Sequence, residues 1–228
     1  MDRIIGMDEA RALVGNAALW PRVRDFLWDF AGQIHPSWLA DLENLEPLAG
    51  LERRTDLLRL DSPRVRRFIL AQLEVVPCFH AFPKDDGSRL LLLDAATLEG
   101  VARWLGALAC AGELRRITGG AAVRELKAAL PGIYPEVFGY VAYFSGFDVP
   151  RGDAAENLLD DVVRTGYALL HSAVSSLPEP LLSRLKCKLP KQEALRLGAM
   201  APNKPITQAT IQKLLKLKFP EAYLLCCS

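Results

Sequence analysis

Apolar residues recur along this chain at spacings of three and four and almost nowhere alternate at two, so the pattern is helical over nearly its whole length. The expected fold is mostly α. Helix openings fall at Asp8, at Trp20-Pro21 with proline in the first helical position, and at Ser62-Pro63, where serine can cap the free amides of the first turn. From Asp94 to Ala111 the residues Leu98, Val101, Ala102, Leu105 and Leu108 share one face, which predicts a core helix. Past Gly119-Gly120 a helix over 121–130 is stopped by Pro131, and another runs over 135–144. Shorter helices are expected around 181–188, 191–200 and 207–218.

The best-patterned helix opens at Asp153, where the aspartate and Glu156 form a capping box, and spans about Ala154 to Leu177 before Pro178 and Pro180. At about 100° per residue, Leu158, Leu159, Val162, Val163, Gly166, Leu169, Leu170, Ala173, Val174 and Leu177 line one face. Asp160, Asp161, Arg164, His171 and Ser175 fall opposite. One stretch departs from the helical rule. Val75-Val76 to Phe82 and Arg89 to Leu93 flank the turn-forming Pro83-Lys-Asp-Asp-Gly87-Ser88, which predicts a short β-hairpin over residues 75–93, with Pro77 confining its first arm to a sheet edge.

At 228 residues the chain suits a single compact multi-helix domain, with an internal joint near 146–153 and a basic C-terminal segment, 184–228. Half the residues are hydrophobic and 24% are charged, the balance of a globular protein rather than a disordered one. The net charge of +1 conceals two unlike ends. Residues 1–183 carry 19 Lys and Arg against 25 Asp and Glu, whereas residues 184–228 carry 9 against 2. Such a basic end suits an acidic protein surface, a nucleic acid or anionic lipid. The first apolar run is broken by Asp8, Glu9 and Arg11, so neither a signal segment nor a membrane span is expected and the chain reads as cytosolic. Five cysteines at 78, 110, 187, 226 and 227 form no C-x-x-C pair, the pattern of reduced thiols.

Candidate chemistry is sparse. Of the three histidines, His35 precedes Pro36 in a connection where an imidazole commonly bonds loop backbone, and His171 lies on the polar face of its helix. Cys78-Phe-His80 is the one thiol–imidazole juxtaposition, and no third group completes it. No histidines stand at metal-ligand spacing, so no catalytic residue, cofactor or metal site is expected. Thr118-Gly119-Gly120 lacks the Lys-Ser/Thr of a phosphate loop and reads as a helix C-cap. Asp85-Asp86 and Asp160-Asp161 are sequence neighbours rather than proton-sharing dyads, and Asp153 of Arg151-Gly-Asp153 is better used as a cap.

Two features suit an interaction surface. Behind Pro21 the apolar stripe comprises Val23, Phe26, Leu27, Phe30, Ala31 and Ile34, and Trp28 projects about 130° from its centre, either clasping a second helix or anchoring a partner. The second is the basic group Arg184, Lys186, Lys188, Lys191, Lys213, Lys216 and Lys218, a solvated face or a docking site.

Four stretches carry a family likeness: Ile34-His-Pro-Ser-Trp-Leu39, the segment from Leu98 to Ala111, the segment from Leu126 to Tyr140, and the segment from Leu214 to Cys227. In order and spacing they resemble the SctK or YscK family, cytosolic accessory proteins of bacterial type III secretion. The resemblance implies a non-enzymatic adaptor of the sorting platform at the cytoplasmic face of the inner membrane. It implies two partners, the forkhead-associated-like cytoplasmic domain of an SctD-type ring protein and an SctQ-type pod protein, and it carries over no catalytic residue. A nucleic-acid-binding module on the basic segment is the alternative, weakened by the scarcity of aromatics there beyond Phe219 and Tyr223. A thiol-dependent enzyme at Cys78 and His80 is a third.

Overall fold

A computed structural model describes residues 6–40, 63–76, 78–84, 86–144, 158–197 and 206–227. In chain order the α-helices are α1 (Met7–Val14), α2 (Trp20–Trp28), α3 (Pro36–Leu39), α4 (Pro63–Gln72), α5 (Ala95–Ala109), α6 (Ala111–Arg116) and α7 (Gly120–Ala129). They continue as α8 (Ile133–Tyr140), α9 (Leu158–Ser172), α10 (Glu179–Lys188), α11 (Lys191–Arg196), α12 (Gln208–Lys218) and α13 (Pro220–Cys227). Short 3-10 helices cover Phe30–Gln33, Ser88–Leu92 and Val141–Tyr143. Among the described residues the fold is all-helical, without a strand. The chain groups into two compact units that interleave in sequence: residues 1–95, 176–195 and 225–228 form one, and residues 96–175 and 196–224 the other. The expected joint at 146–153 and the capping box at Asp153 lie outside the described residues.

In the first unit α2 starts behind Leu19 with Pro21 in its opening turn, as expected, and buries Val23, Phe26 and Leu27. The stripe runs on through Phe30 and Ile34, but α2 itself stops at Trp28 and a 3-10 turn carries Phe30 inward. Pro36 holds His35 extended (φ −63°, ψ 135°), so α3 begins afresh. Of the hairpin expected over 75–93, the described residues form no strand. Asp86 accepts the Ser88 amide at 2.8 Å and Gly87 turns through φ +75°, and the chain then coils into the 3-10 helix Ser88–Leu92. All five of its residues are buried, whereas a strand on an open face would bury every other one. Phe82, at φ +53°, is held in the left-handed region by its ring, 5.6 Å edge-on to Phe26, and by Arg89 Nε donating to its carbonyl at 2.9 Å.

In the second unit α5 buries the expected face and adds Trp104, Gly106 and Ala107 to it. It crosses α9 with backbones touching. A Cβ at Gly106 would lie 1.8 Å from the Val162 carbonyl oxygen, and one at Gly166 would lie 1.9 Å from that of Ala102. The polar face of α9 is as expected in part: Asp160 is exposed, and Asp161, Arg164 and His171 are half-buried. Helix α9 ends at Ser172 rather than Leu177, with Val174 and Leu177 still buried. Gly119, expected as a C-cap, instead precedes α7 as its N-cap; α6 has already ended at Arg116. Thr207 caps α12 by accepting the Thr210 amide.

Because both atoms facing those absent Cβ groups belong to helix backbone, neither can swing aside. Gly166→Ala should cost on the order of 3 kcal/mol, read as a fall in melting temperature. Gly112→Ala, where nothing lies within 4 Å of the new Cβ, should leave stability unchanged or slightly raised. Equal melting temperatures for the two variants would contradict the contact between α5 and α9.

Candidate functional site

Helix α10 sets Leu181, Arg184, Leu185 and Lys188 on one stripe, three or four residues apart, and the whole stripe is buried. Arg184 is 2% exposed and Lys188 1%. This corrects the reading of both as members of a solvated or docking basic face. Arg184 Nη1 donates to the carbonyl of Phe26 and, at 3.3 Å, to that of Leu27, and Nη2 reaches the Val76 carbonyl at 3.4 Å. The Phe26 and Leu27 carbonyls belong to the last turn of α2, where carbonyls lack helical donors and the helix dipole favours a cation. Lys188 Nζ donates to Gln33 Oε1 at 2.9 Å, to the Leu91 carbonyl at 2.8 Å and to the Leu93 carbonyl, closing the end of the 3-10 helix. The Phe26 ring lies 5.6 Å from Arg184 Cζ and 5.5 Å from Lys188 Nζ, and Phe30 lies 5.2 Å from Arg184 Cζ.

Among the described residues neither cation meets a carboxylate within ion-pair distance. Burial therefore dominates both protonation equilibria. It pushes the Lys188 ammonium down to about 7, with Asp94 opposing and Arg22 adding to the shift, and it lowers Arg184. The stretch Ile34–Leu39 fastens onto the end of the same helix. The His35 amide donates to the Cys187 carbonyl at 2.8 Å, Trp38 Nε1 to that of Leu189 at 3.0 Å, and the Lys191 amide to Ser37 Oγ at 2.9 Å. His35 Nδ1 accepts the Ser37 amide at 3.2 Å, the loop-backbone role expected of it. A cavity of about 520 Å³ opens here, lined by Arg22, Gln33, His35, Asp94 and Lys188 among others. Its lysine has each of its three protons on a protein oxygen.

The remaining candidates scatter. Trp28 is 40% exposed, its ring centroid 5.8 Å from that of Trp20 in a tilted pair. Lys186 pairs with Glu179 at 3.0 Å, and Lys191 Nζ stands 5.6 Å from the Trp38 ring centroid. Lys218 pairs with Glu136 and lies 4.6 Å over Trp104 and 4.1 Å over Tyr140. Partial burial pulls its ammonium down, but the hydrogen bonds and charges of Glu136 and Tyr140 prevail and hold it above its usual value. Lys213 and Lys216 are exposed. Of the basic group, Arg184 to Lys191 belong to one compact unit and Lys213 to Lys218 to the other.

Cys78 and His80 do not form a pair either. His80 Nε2 meets Asp86 Oδ2 at 2.8 Å, and Cys78 bonds Arg184. Burial raises the Cys78 thiol against the opposing pull of Arg184, the direction opposite to that of a nucleophilic thiolate. The five cysteines are free, with Cys187 and Cys226 buried. Among the described residues no group of His, Cys, Asp and Glu is placed to hold a metal ion, and no helix is long and apolar enough to cross a membrane.

Folded Lys188 sheds its proton near 7, whereas the unfolded chain keeps it to about 10.4, so across that interval the unfolded state binds more protons and stability rises with pH. Above about pH 8.5, where an unfolded thiol ionises, Cys110 and Cys187 (each raised to about 11) and Cys226 (about 12) reverse the trend. The melting temperature should climb from pH 7 to about pH 8.5 and fall beyond it. In Lys188→Met the climb should vanish, with about 2–4 kcal/mol of stability lost from carbonyls left without donors. A wild-type profile falling from pH 7 onward would exclude this role for Lys188. No family model, curated protein or solved structure matches this chain, so its function is to be inferred from its own residues.

Proposed function

We propose that this protein is a non-enzymatic adaptor of the SctK or YscK type, joining the cytoplasmic domain of an SctD-type ring protein to an SctQ-type pod protein in a type III secretion sorting platform. The observation that carries the reading is Trp28. Helix α2 satisfies its own core with Val23, Phe26 and Leu27, yet it leaves an indole 40% exposed against a second tryptophan. Exposed indoles are costly in water and are over-represented among the anchors of protein interfaces. The four stretches that resemble the family support the same reading, and Ile34–Leu39 has a defined task in this chain, fastening onto the end of α10. The nucleic-acid alternative loses support. Of the basic group that motivated it, Arg184 and Lys188 are interior, and Lys186 and Lys218 are spent on Glu179 and Glu136.

Trp28→Ala should change the melting temperature by no more than a few degrees, since the indole is already partly solvated, and weaken binding to one partner by roughly thirtyfold or more. Calorimetric titration against the purified ring domain and pod protein reads the affinity, and thermal unfolding of the same sample reads the stability. A large stability loss with normal binding by the folded fraction would place Trp28 in the core. Affinity purification from the native cell that recovers neither ring nor pod protein would overturn the adaptor reading itself.

A further inference from the structure

We infer that the outer face of α12, together with Tyr143, docks an acidic amphipathic segment of a partner protein. Ile211, Leu214 and Leu215 turn α12's inner face into the core, which leaves Lys213, Lys216 and Leu217 outward. Leu217 is 44% exposed and Tyr143 61%, and both lie in the same compact unit as the two lysines. Lys213 Nζ donates to the Tyr143 carbonyl at 3.0 Å and stands 5.3 Å over its ring, which ties the lysine to the exposed tyrosine. Lys216 Nζ stands 6.0 Å from the Tyr223 ring. Among the described residues neither lysine has a carboxylate partner, whereas Lys218, on the same helix, is held by Glu136.

Charge and surface together select the occupant. Two ammonium groups beside an exposed leucine and an exposed tyrosine complement carboxylates flanking an apolar side chain, and a lysine already fixed by Tyr143 loses little freedom on binding. A membrane surface is recognised by clusters of about four to eight basic residues, and duplex binding likewise draws on several phosphate contacts at once. This face offers two ammonium groups without a carboxylate partner among the described residues, too few for either of those surfaces. The identity of the partner rests on the adaptor reading; the chemistry of the surface does not.

The test places a photo-crosslinking amino acid at position 217 of the full chain in its native cell, with and without Lys213→Glu/Lys216→Glu, and identifies the adduct by mass spectrometry. The expected adduct is a peptide of another protein with at least two Asp or Glu beside an apolar residue. Its yield should fall about tenfold or more on charge reversal while the melting temperature holds. Should the double reversal lower the melting temperature, Lys216→Gln alone should still reduce the yield, because Lys216 donates no hydrogen bond among the described residues. A neutral or basic peptide, a peptide of this same chain, a lipid or nucleic-acid adduct, a yield indifferent to both variants, or no adduct at all would overturn the inference. The adaptor reading is judged separately. An acidic peptide from a protein other than the ring or pod component would sink that reading and keep the surface, and ring or pod adducts formed only from position 28 would do the reverse.

Discussion

Two buried basic side chains, Arg184 and Lys188, tie α10 to the rest of the first compact unit through hydrogen bonds to carbonyl oxygens. Taking a guanidinium and an ammonium out of water costs several kcal/mol each, and without a contacting carboxylate the return must come from charge-assisted hydrogen bonds and the faces of Phe26 and Phe30. Those bonds have few alternative geometries. Arg184 must find the last turn of α2, and Lys188 the end of the Ser88–Leu92 turn, or each is left as a bare buried charge. An apolar α10 could slide against its neighbours with little penalty, whereas this one is confined to a single register. The planar fork of Arg184 spans carbonyls on two segments, and the compact ammonium of Lys188 fits among three oxygens; exchanging the two residues would satisfy neither.

Most helices are legible because their apolar residues keep the helical period, and several open on a proline, as at Pro21, Pro63 and Pro180. Helix α5, with Leu98, Val101, Ala102, Leu105 and Leu108 inward, is the clearest instance. The stretch after Gly87 was misread because Arg89-Leu-Leu-Leu-Leu93 has no period at all; a short run buried on every side fits a strand and a tight helix equally well. Helix α13 escaped for a similar reason, since Ala222 to Cys227 is apolar or aromatic at every position. The two interior cations did leave a signal. They stand at the spacing of Leu181 and Leu185, on the apolar stripe of α10, but a basic residue is expected to reach solvent and the run was read as one surface.

The interior placement of Arg184 and Lys188 changes the electrostatics of the chain more than its fold. Formal charge along the sequence suggested a strongly basic end, but charge matters to a partner only where it is exposed and not already matched. Burial removes Arg184 and Lys188 from that account, and intramolecular carboxylates remove Lys186 and Lys218. What remains is local: an indole on α2 and Lys191 over Trp38 in one unit, and Lys213 beside Tyr143 with Lys216 over Tyr223 in the other.

The bonds made by α10 span an unusual length of chain. Arg184 reaches Phe26 and Leu27 across 158 and 157 positions, and Lys188 reaches Gln33 across 155. On a ribosome, which releases the chain from its N-terminal end, α2 and the stretch Ile34–Leu39 emerge long before the helix that completes them. During that interval the apolar face of Phe26 and Phe30 has no cation above it, and the α2 carbonyls have only water. Residues 96–175 of the second unit, by contrast, are one continuous stretch and already contain the crossing of α5 and α9. Contacts within 96–175 can therefore close before residue 188 has emerged, whereas the bonds that α10 makes to the N-terminal segments cannot.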